Sequence, residues 1–269
     1  MKQASYPRFS LGKELTAEQT NYFNEQGYIH FENFISKEKV QELILAAEEV
    51  ENRWAAEKVE KINGVPIKYG VNEEGRSIVH RFAFLSLHSQ AFHELLQDTR
   101  FPALFPLLQA PGRIGENEKD GLVLNHYLNM GSSNFTKMGW HTDCLRDVFY
   151  GKKIMPMLNV GIYLDDSSDD NGGLRVIPGS HKQNFIKLVF GKKYFVDNTP
   201  DENEIAINAK AGDLTVHDGR MWHRVALSPH IGPKSRRRVM YVPVISGKYA
   251  PKSEDSPTQL YQRFSKYVK

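Results

Sequence analysis

Apolar positions recur at helical intervals near the start of the chain and as short strand-like runs in its second half, and the character changes after Gly121. Residues 1–14 carry little pattern. Thr16 to Gln19 reads as a capping box, Phe23 follows Thr20 at helical spacing, and Gly27 is placed to end that helix. A short strand is expected over 28–31. Ser36 opens a second helix whose apolar stripe is Val40, Leu43, Ile44 and Ala47. Both helices read as cover for a sheet. Residues 56–78 are polar and rich in Lys, Glu and Gly, which predicts a loop or short hairpin, whereas 85–96 and 101–108 predict helices, the second begun at Pro102.

Beyond Gly121 the pattern predicts short strands over 122–129, 157–164, 174–177, 205–208, 213–217, 222–227 and 238–245. Turn-forming residues separate them, most densely from Asp165 to Gly173. An insert occupies 183–204. Strands and helices do not alternate in this half, so the expected architecture is an all-β core with flanking helices (α+β), a sandwich or barrel behind an N-terminal helical part. A last helix is expected over 257–267, with Ser256 as its N-cap and Leu260 and Phe264 on its apolar face.

Length and composition narrow the class. A chain of 269 residues fits one domain, divided here into a mainly helical part (1–120), a β core (121–246) and a tail (247–269). A hydrophobic fraction of 40%, a charged fraction of 25% and a net charge of +3 describe an ordinary soluble protein. Basic residues are scattered apart from Arg236 to Arg238, which argues against a nucleic-acid partner. The single cysteine, Cys144, excludes an intrachain disulfide and fits a reducing compartment. No run approaches the length of a membrane span and the N-terminus lacks a signal-peptide core. A cytoplasmic protein with no membrane partner is expected.

Candidate chemistry begins at 138–143, where His141 and Asp143 stand two positions apart. On an extended strand both side chains project from one face. One nitrogen and one oxygen donor still need a third ligand, and two histidines with one carboxylate form the facial triad of non-haem iron(II) oxygenases. His217, His223 and His230 are the candidates for the second histidine. His223 is the best placed, at the head of an apolar run. A guanidinium aimed into a barrel from the 235–243 stretch needs an anionic partner. Alternation puts Arg237, Val239 and Tyr241 on one face and Arg236, Arg238 and Met240 on the other.

In order, Trp140 to Asp143, Tyr163 to Asp166, Asn171 to Leu174, Ile177 to Lys182, Gly212 to Leu214 and Arg220 to His223 resemble the phytanoyl-CoA dioxygenase family of iron(II)- and 2-oxoglutarate-dependent oxygenases. Leu15 to Gln19, Glu25 to Ile29 and Phe34 to Ser36 are similar to its N-terminal part. The resemblance implies a double-stranded β-helix (a jelly-roll, cupin-like barrel) and a hydroxylase that uses Fe(II), 2-oxoglutarate and O2 on an unactivated C–H bond of a small molecule, releasing succinate and CO2. It implies His141, Asp143 and His223 as metal ligands and Arg237 as the partner of the distal carboxylate of 2-oxoglutarate, with Arg236 and Arg238 as one-residue alternatives. Thr142, Asn125 and His126 correspond to positions near the co-substrate. Val225 departs from the serine often found two positions after the distal histidine. Halogenating relatives resemble the pattern with a small residue in place of Asp143, so Asp143 implies hydroxylation. The C-terminal Tyr-Val-Lys is not a peroxisomal address. The alternative is a catalytically inactive jelly-roll that binds a metal or ligand. A closed structural zinc site would want a fourth protein ligand, and none stands beside the triad.

Overall fold

The computed structural model describes residues 5–133, 135–149 and 153–259. Helix α1 (Ala17–Gln26) starts at the expected capping box, with Thr16 accepting from the Gln19 N–H and the Gln19 side chain reaching back. It stops at Gly27, whose φ of 80° is the left-handed turn that a side chain would strain. Strand β1 (Tyr28–Phe31) follows, then α2 (Lys37–Glu57) with its N-cap at Ser36.

The segment after α2 holds more strand than its polarity suggested: a small hairpin of β2 (Lys61–Ile62) and β3 (Val65–Pro66), then β4 (Lys68–Val71) and β5 (Ser77–Phe82). β5 is recruited by pairing with a later strand, an interaction that local pattern does not encode. The helix expected over 85–96 is divided into a 3-10 turn (Leu85–Leu87) and α3 (Gln90–Leu96), and Phe101–Leu108 is a 3-10 helix.

The remaining elements are β6 (Gly112–Ile114), β7 (Val123–Tyr127), β8 (Met138–His141), α4 (Arg146–Phe149), β9 (Met157–Tyr163), β10 (Gly173–Val176), α5 (Phe185–Phe190), β11 (Ile205–Ala206), β12 (Leu214–Asp218), β13 (His223–Ala226) and β14 (Arg237–Ser246). The short β6, α4 and α5 lack a sequence period long enough to read. Most of the helix expected over 257–267 lies outside the described residues.

Two antiparallel sheets form the jelly-roll. The larger runs β1-β12-β9-β14-β7-β5-β4 with β6 on β14, and the smaller runs β11-β10-β13-β8. Alternation decides what each face of the larger sheet does. Leu158, Val160 and Ile162 of β9, Leu214 and Val216 of β12, and Met240, Val242 and Val244 of β14 pack against the helices, where they join Phe23, Leu43, Val50 and Trp54. Truncating such a side chain to Ala costs about 2–5 kcal/mol. The other face carries Asn159, Gly161 and Tyr163, then Thr215 and His217, then Arg237, Val239 and Tyr241, in register across the sheet. The main apolar core therefore sits outside the barrel, and the polar and aromatic face turns toward the smaller sheet.

Candidate metal centre and co-substrate pocket

His141 and His223 are direct cross-strand partners on β8 and β13. Their ring centroids are 4.0 Å apart. In each, Nδ1 lies against the carbonyl two residues earlier, Gly139 at 2.8 Å and Met221 at 3.0 Å. A carbonyl only accepts, so Nδ1 carries the proton and the Nε2 lone pair stays available to a metal. Asp143 lies two residues past His141. Ligand atoms of His141, Asp143 and His223 all fall within 4.8 Å of one another, and all three residues are buried.

The protonation states suit that role. Burial pushes the His141 imidazole down to about 4, with Asp143 working against the shift, and pushes His223 well below the usual range. Both rings are neutral at neutral pH. Burial alone would raise Asp143, but the His217 ring, His223 and Arg146 around it hold the carboxyl well below its usual range. Asn159 Nδ2 donates to Asp143 Oδ2 at 2.7 Å and Arg146 lies 3.5 Å from Oδ1. Helix α4 is itself anchored: Arg146 also meets Asp120 at 3.2 Å, and buried Asp147 pairs with Lys119 at 3.0 Å and accepts from Tyr249.

The insert closes one flank. The Phe195 N–H donates to the Trp140 carbonyl and the Trp140 N–H to the Asp197 carbonyl, so the insert runs along β8. The Phe195 ring stacks on His141 with centroids 4.8 Å apart, and the Tyr194 hydroxyl donates to the Thr142 carbonyl. Phe195 adopts φ 61°, a left-handed conformation uncommon for a bulky residue. The indole N–H groups of Trp140 and Trp222 are both spent on the insert, at the Thr199 carbonyl and Gln183 Oε1.

The three arginines separate by partner. Arg238 grips Asp165 through two hydrogen bonds of 2.8 Å, and Arg236 holds Glu73 at 2.8 Å. Arg237 is 2% exposed, and among the described residues it contacts only neutral groups: the Ala226 carbonyl, the Thr136 carbonyl and the Tyr127 ring, 5.3 Å from its guanidinium carbon. Its Nε has no hydrogen-bond partner. Burial pulls its pKa down to about 10. A charge this deep needs an anion, and a carboxylate matches the guanidinium fork.

The other expected positions divide. Asn125 is on the same face of β7 as Tyr127, donates to its hydroxyl at 3.3 Å and accepts from Arg81 at 3.5 Å. His126 alternates away from them, its backbone carbonyl accepting from His80. Thr142 is fully buried with Oγ1 3.8 Å from Cys144 Sγ. Val225, the departure from the serine often found two positions after the distal histidine, packs with Tyr127 and Phe135. His230 is exposed. His217 lies within β12, 3.7 Å from Asp143 Oδ2. It is 2% exposed, and neither ring nitrogen has a hydrogen-bond partner.

Asn159 and Tyr127 escaped sequence reasoning. Their signal was a polar or hydroxylated residue at alternate positions of an otherwise apolar strand, which marks a strand with two differently used faces. Arg146 is held between Asp120 and Asp143.

Comparison with known proteins agrees with this geometry. A family model described as phytanoyl-CoA dioxygenase matches residues 23–237. A probable alpha-ketoglutarate-dependent hypophosphite dioxygenase of Stutzerimonas stutzeri is 24% identical over 218 residues, 77% of this chain and 71% of that protein. An ectoine dioxygenase of Bordetella bronchiseptica is 25% identical over 191 residues, 68% of this chain. The aligned part is 55% of that relative, so the chain spans about half its length. Among solved structures, the non-heme alpha-ketoglutarate-dependent carbocyclase SnoK from nogalamycin biosynthesis has a TM-score of 0.64 at 18% identity, covering 92% of this chain and 91% of that one. EctD from S. alaskensis with 2-oxoglutarate and 5-hydroxyectoine has a TM-score of 0.62 at 21% identity, covering 90% and 81%. These structures share the jelly-roll fold with the present chain.

Proposed function

Because the chain belongs to the phytanoyl-CoA dioxygenase family, we propose that it is an iron(II)- and 2-oxoglutarate-dependent oxygenase that hydroxylates a small molecule. The observation that carries this reading is the convergence of two cross-strand imidazoles, each with Nδ1 already hydrogen-bonded, on an ionised carboxylate. Two nitrogens and one oxygen from one side of a barrel suit ferrous iron and leave the opposite side open. His141, Asp143 and His223 are assigned as the ligands. Asn159 orients Asp143 by donating to Oδ2.

Arg237 is assigned to the distal carboxylate of 2-oxoglutarate, since Arg236 and Arg238 already have carboxylate partners. The Tyr127 ring and two backbone carbonyls hold the guanidinium in place before any ligand arrives. Asn125, beside Tyr127, is assigned to the same pocket, and Thr142 and His126 to its surroundings. When bound, iron(II) with 2-oxoglutarate and dioxygen supplies an oxidant able to attack an unactivated C–H bond, with succinate and carbon dioxide as co-products. The chain's own task is to keep the ligand imidazoles neutral, keep Asp143 ionised and exclude water, the last through Phe195 and Trp140 along β8. A carboxylate at 143 supports hydroxylation over halogenation.

The family assignment and the polar, partly aromatic lumen support a small-molecule substrate. One domain and a cytoplasmic setting complete the reading. Succinate release from 2-oxoglutarate, measured with iron(II) under air, tests it. Turnover is expected even without substrate, at a low uncoupled rate. Binding of iron and 2-oxoglutarate with no succinate across a broad substrate panel would instead assign a binding protein.

A further inference from the structure

The insert between β10 and β11 carries a feature that the oxygenase reading does not use. Helix α5 is fixed to the body by buried Leu188, which packs with Cys144 and Leu145, and by half-buried Val189 beside it. Its other large apolar residues face outward: Phe185 is 63% exposed, Ile186 69% and Phe190 79%, with Val196 at 66% just beyond. Burying these side chains would be favourable, and leaving them in water marks a contact surface. Lysine is the charged residue next to α5, while the acidic residues of the insert, Asp197, Asp201, Glu202 and Glu204, follow further along it. Residues 181–196 contain Lys182, Lys187, Lys192 and Lys193 and no Asp or Glu. Lys192 is engaged with Asp201, whereas Lys182, Lys187 and Lys193 are exposed.

We propose that this insert seats the protein on an anionic phospholipid surface, with Phe185, Ile186 and Phe190 entering the headgroup–acyl boundary and the lysines meeting lipid phosphates. Aromatic and aliphatic side chains beside lysines are the chemistry of an interfacial contact, in which apolar burial and attraction to anionic lipid act together. Such a contact needs no spanning segment, so the lack of a long apolar run, on which the expectation of no membrane partner rested, does not bear on it. No helix among the described residues is long and apolar enough to cross a membrane. The same insert stacks Phe195 on His141, so a docked surface would lie on the metal-centre side of the barrel.

The test is co-sedimentation of the full chain with vesicles of phosphatidylcholine alone and of phosphatidylcholine with about one-third phosphatidylglycerol. Binding to the anionic vesicles is expected, weakening as salt rises. Phe185→Glu with Phe190→Glu should weaken it by about tenfold or more, and Lys182→Gln with Lys187→Gln and Lys193→Gln should weaken it without changing the thermal midpoint. Three results would overturn the proposal: no vesicle binding, equal binding to both vesicle types, or a dimer in sedimentation velocity that the Phe185→Glu and Phe190→Glu pair abolishes. None of these readouts depends on iron or turnover, so the outcome is separate from that of the oxygenase assignment.

Discussion

His141 and His223 face each other across neighbouring strands, and each spends Nδ1 on the backbone carbonyl two residues earlier. The two Nε2 atoms are thus presented by the β-ladder itself rather than by loops. Replacing either histidine with Ala should lower metal affinity by more than about 100-fold while the fold persists. Asn159→Ala, which leaves the ligands but removes the hydrogen bond to Asp143, should cost about 10–100-fold. Titration with iron(II) under anaerobic conditions, alongside circular dichroism, measures both. An Asn159→Ala protein with unchanged affinity would remove Asn159 from the site.

Arg237 and its neighbours differ in what holds them. Arg237→Ala should weaken 2-oxoglutarate binding by at least about tenfold, which is the order expected for losing a charged hydrogen-bond partner. Metal affinity should stay the same. Arg238→Ala should leave 2-oxoglutarate binding intact and instead destabilise the fold by about 1–3 kcal/mol through loss of the Asp165 pair. Calorimetry of co-substrate binding and chemical denaturation separate the two. Unchanged 2-oxoglutarate affinity in Arg237→Ala would displace the assignment.

Gly139 lets the insert lie flat on β8. A Cβ there would collide with the Phe195 backbone carbonyl. The displaced atoms are backbone and cannot swing aside as a side chain tip would. Gly139→Ala should destabilise by about 1–3 kcal/mol and lift Phe195 from His141. A fall in thermal midpoint together with faster proteolysis within 183–204 is the expected result. Wild-type stability would mean that the insert is not held by this contact.

Glu51 on α2 should give folding a pH dependence of the opposite sign from most carboxylates. Burial raises its pKa to about 7, with Glu48 adding to the shift and the Val79 N–H opposing it. The unfolded value is about 4.3. The folded chain therefore holds this proton more tightly, so folding stability falls as pH rises from the unfolded value through the folded one. Glu51→Gln should match wild type near pH 4 and raise the thermal midpoint by about 2–4 °C at pH 8. Melting curves across that range read the difference. A variant that is no more stable at pH 8 would rule out a costly charge at this position.

Several features were legible in the chain because their causes are local. The Thr16–Gln19 capping box, the Ser36 cap and the left-handed Gly27 are decided by neighbours within a few residues. The His141/Asp143 spacing placed two candidate ligands on one face, and the alternation of β14 separated Arg237 from Arg236 and Arg238.

What only the tertiary structure decided depends on contacts between distant segments. His223, already the best placed of the three candidate histidines in the sequence, stands opposite His141 because β13 pairs with β8, a register that neither strand's own sequence contains. Arg237 is left among neutral groups because Asp165 and Glu73 come from elsewhere to take its neighbours. Strand β5 exists because β7 offers it an edge, and Asn159 reaches Asp143 because the two sheets face each other. A sequence states which faces a strand has. Which partner each face meets is settled by packing the sheets, where one pairing buries the apolar set outside and turns the polar set into the barrel.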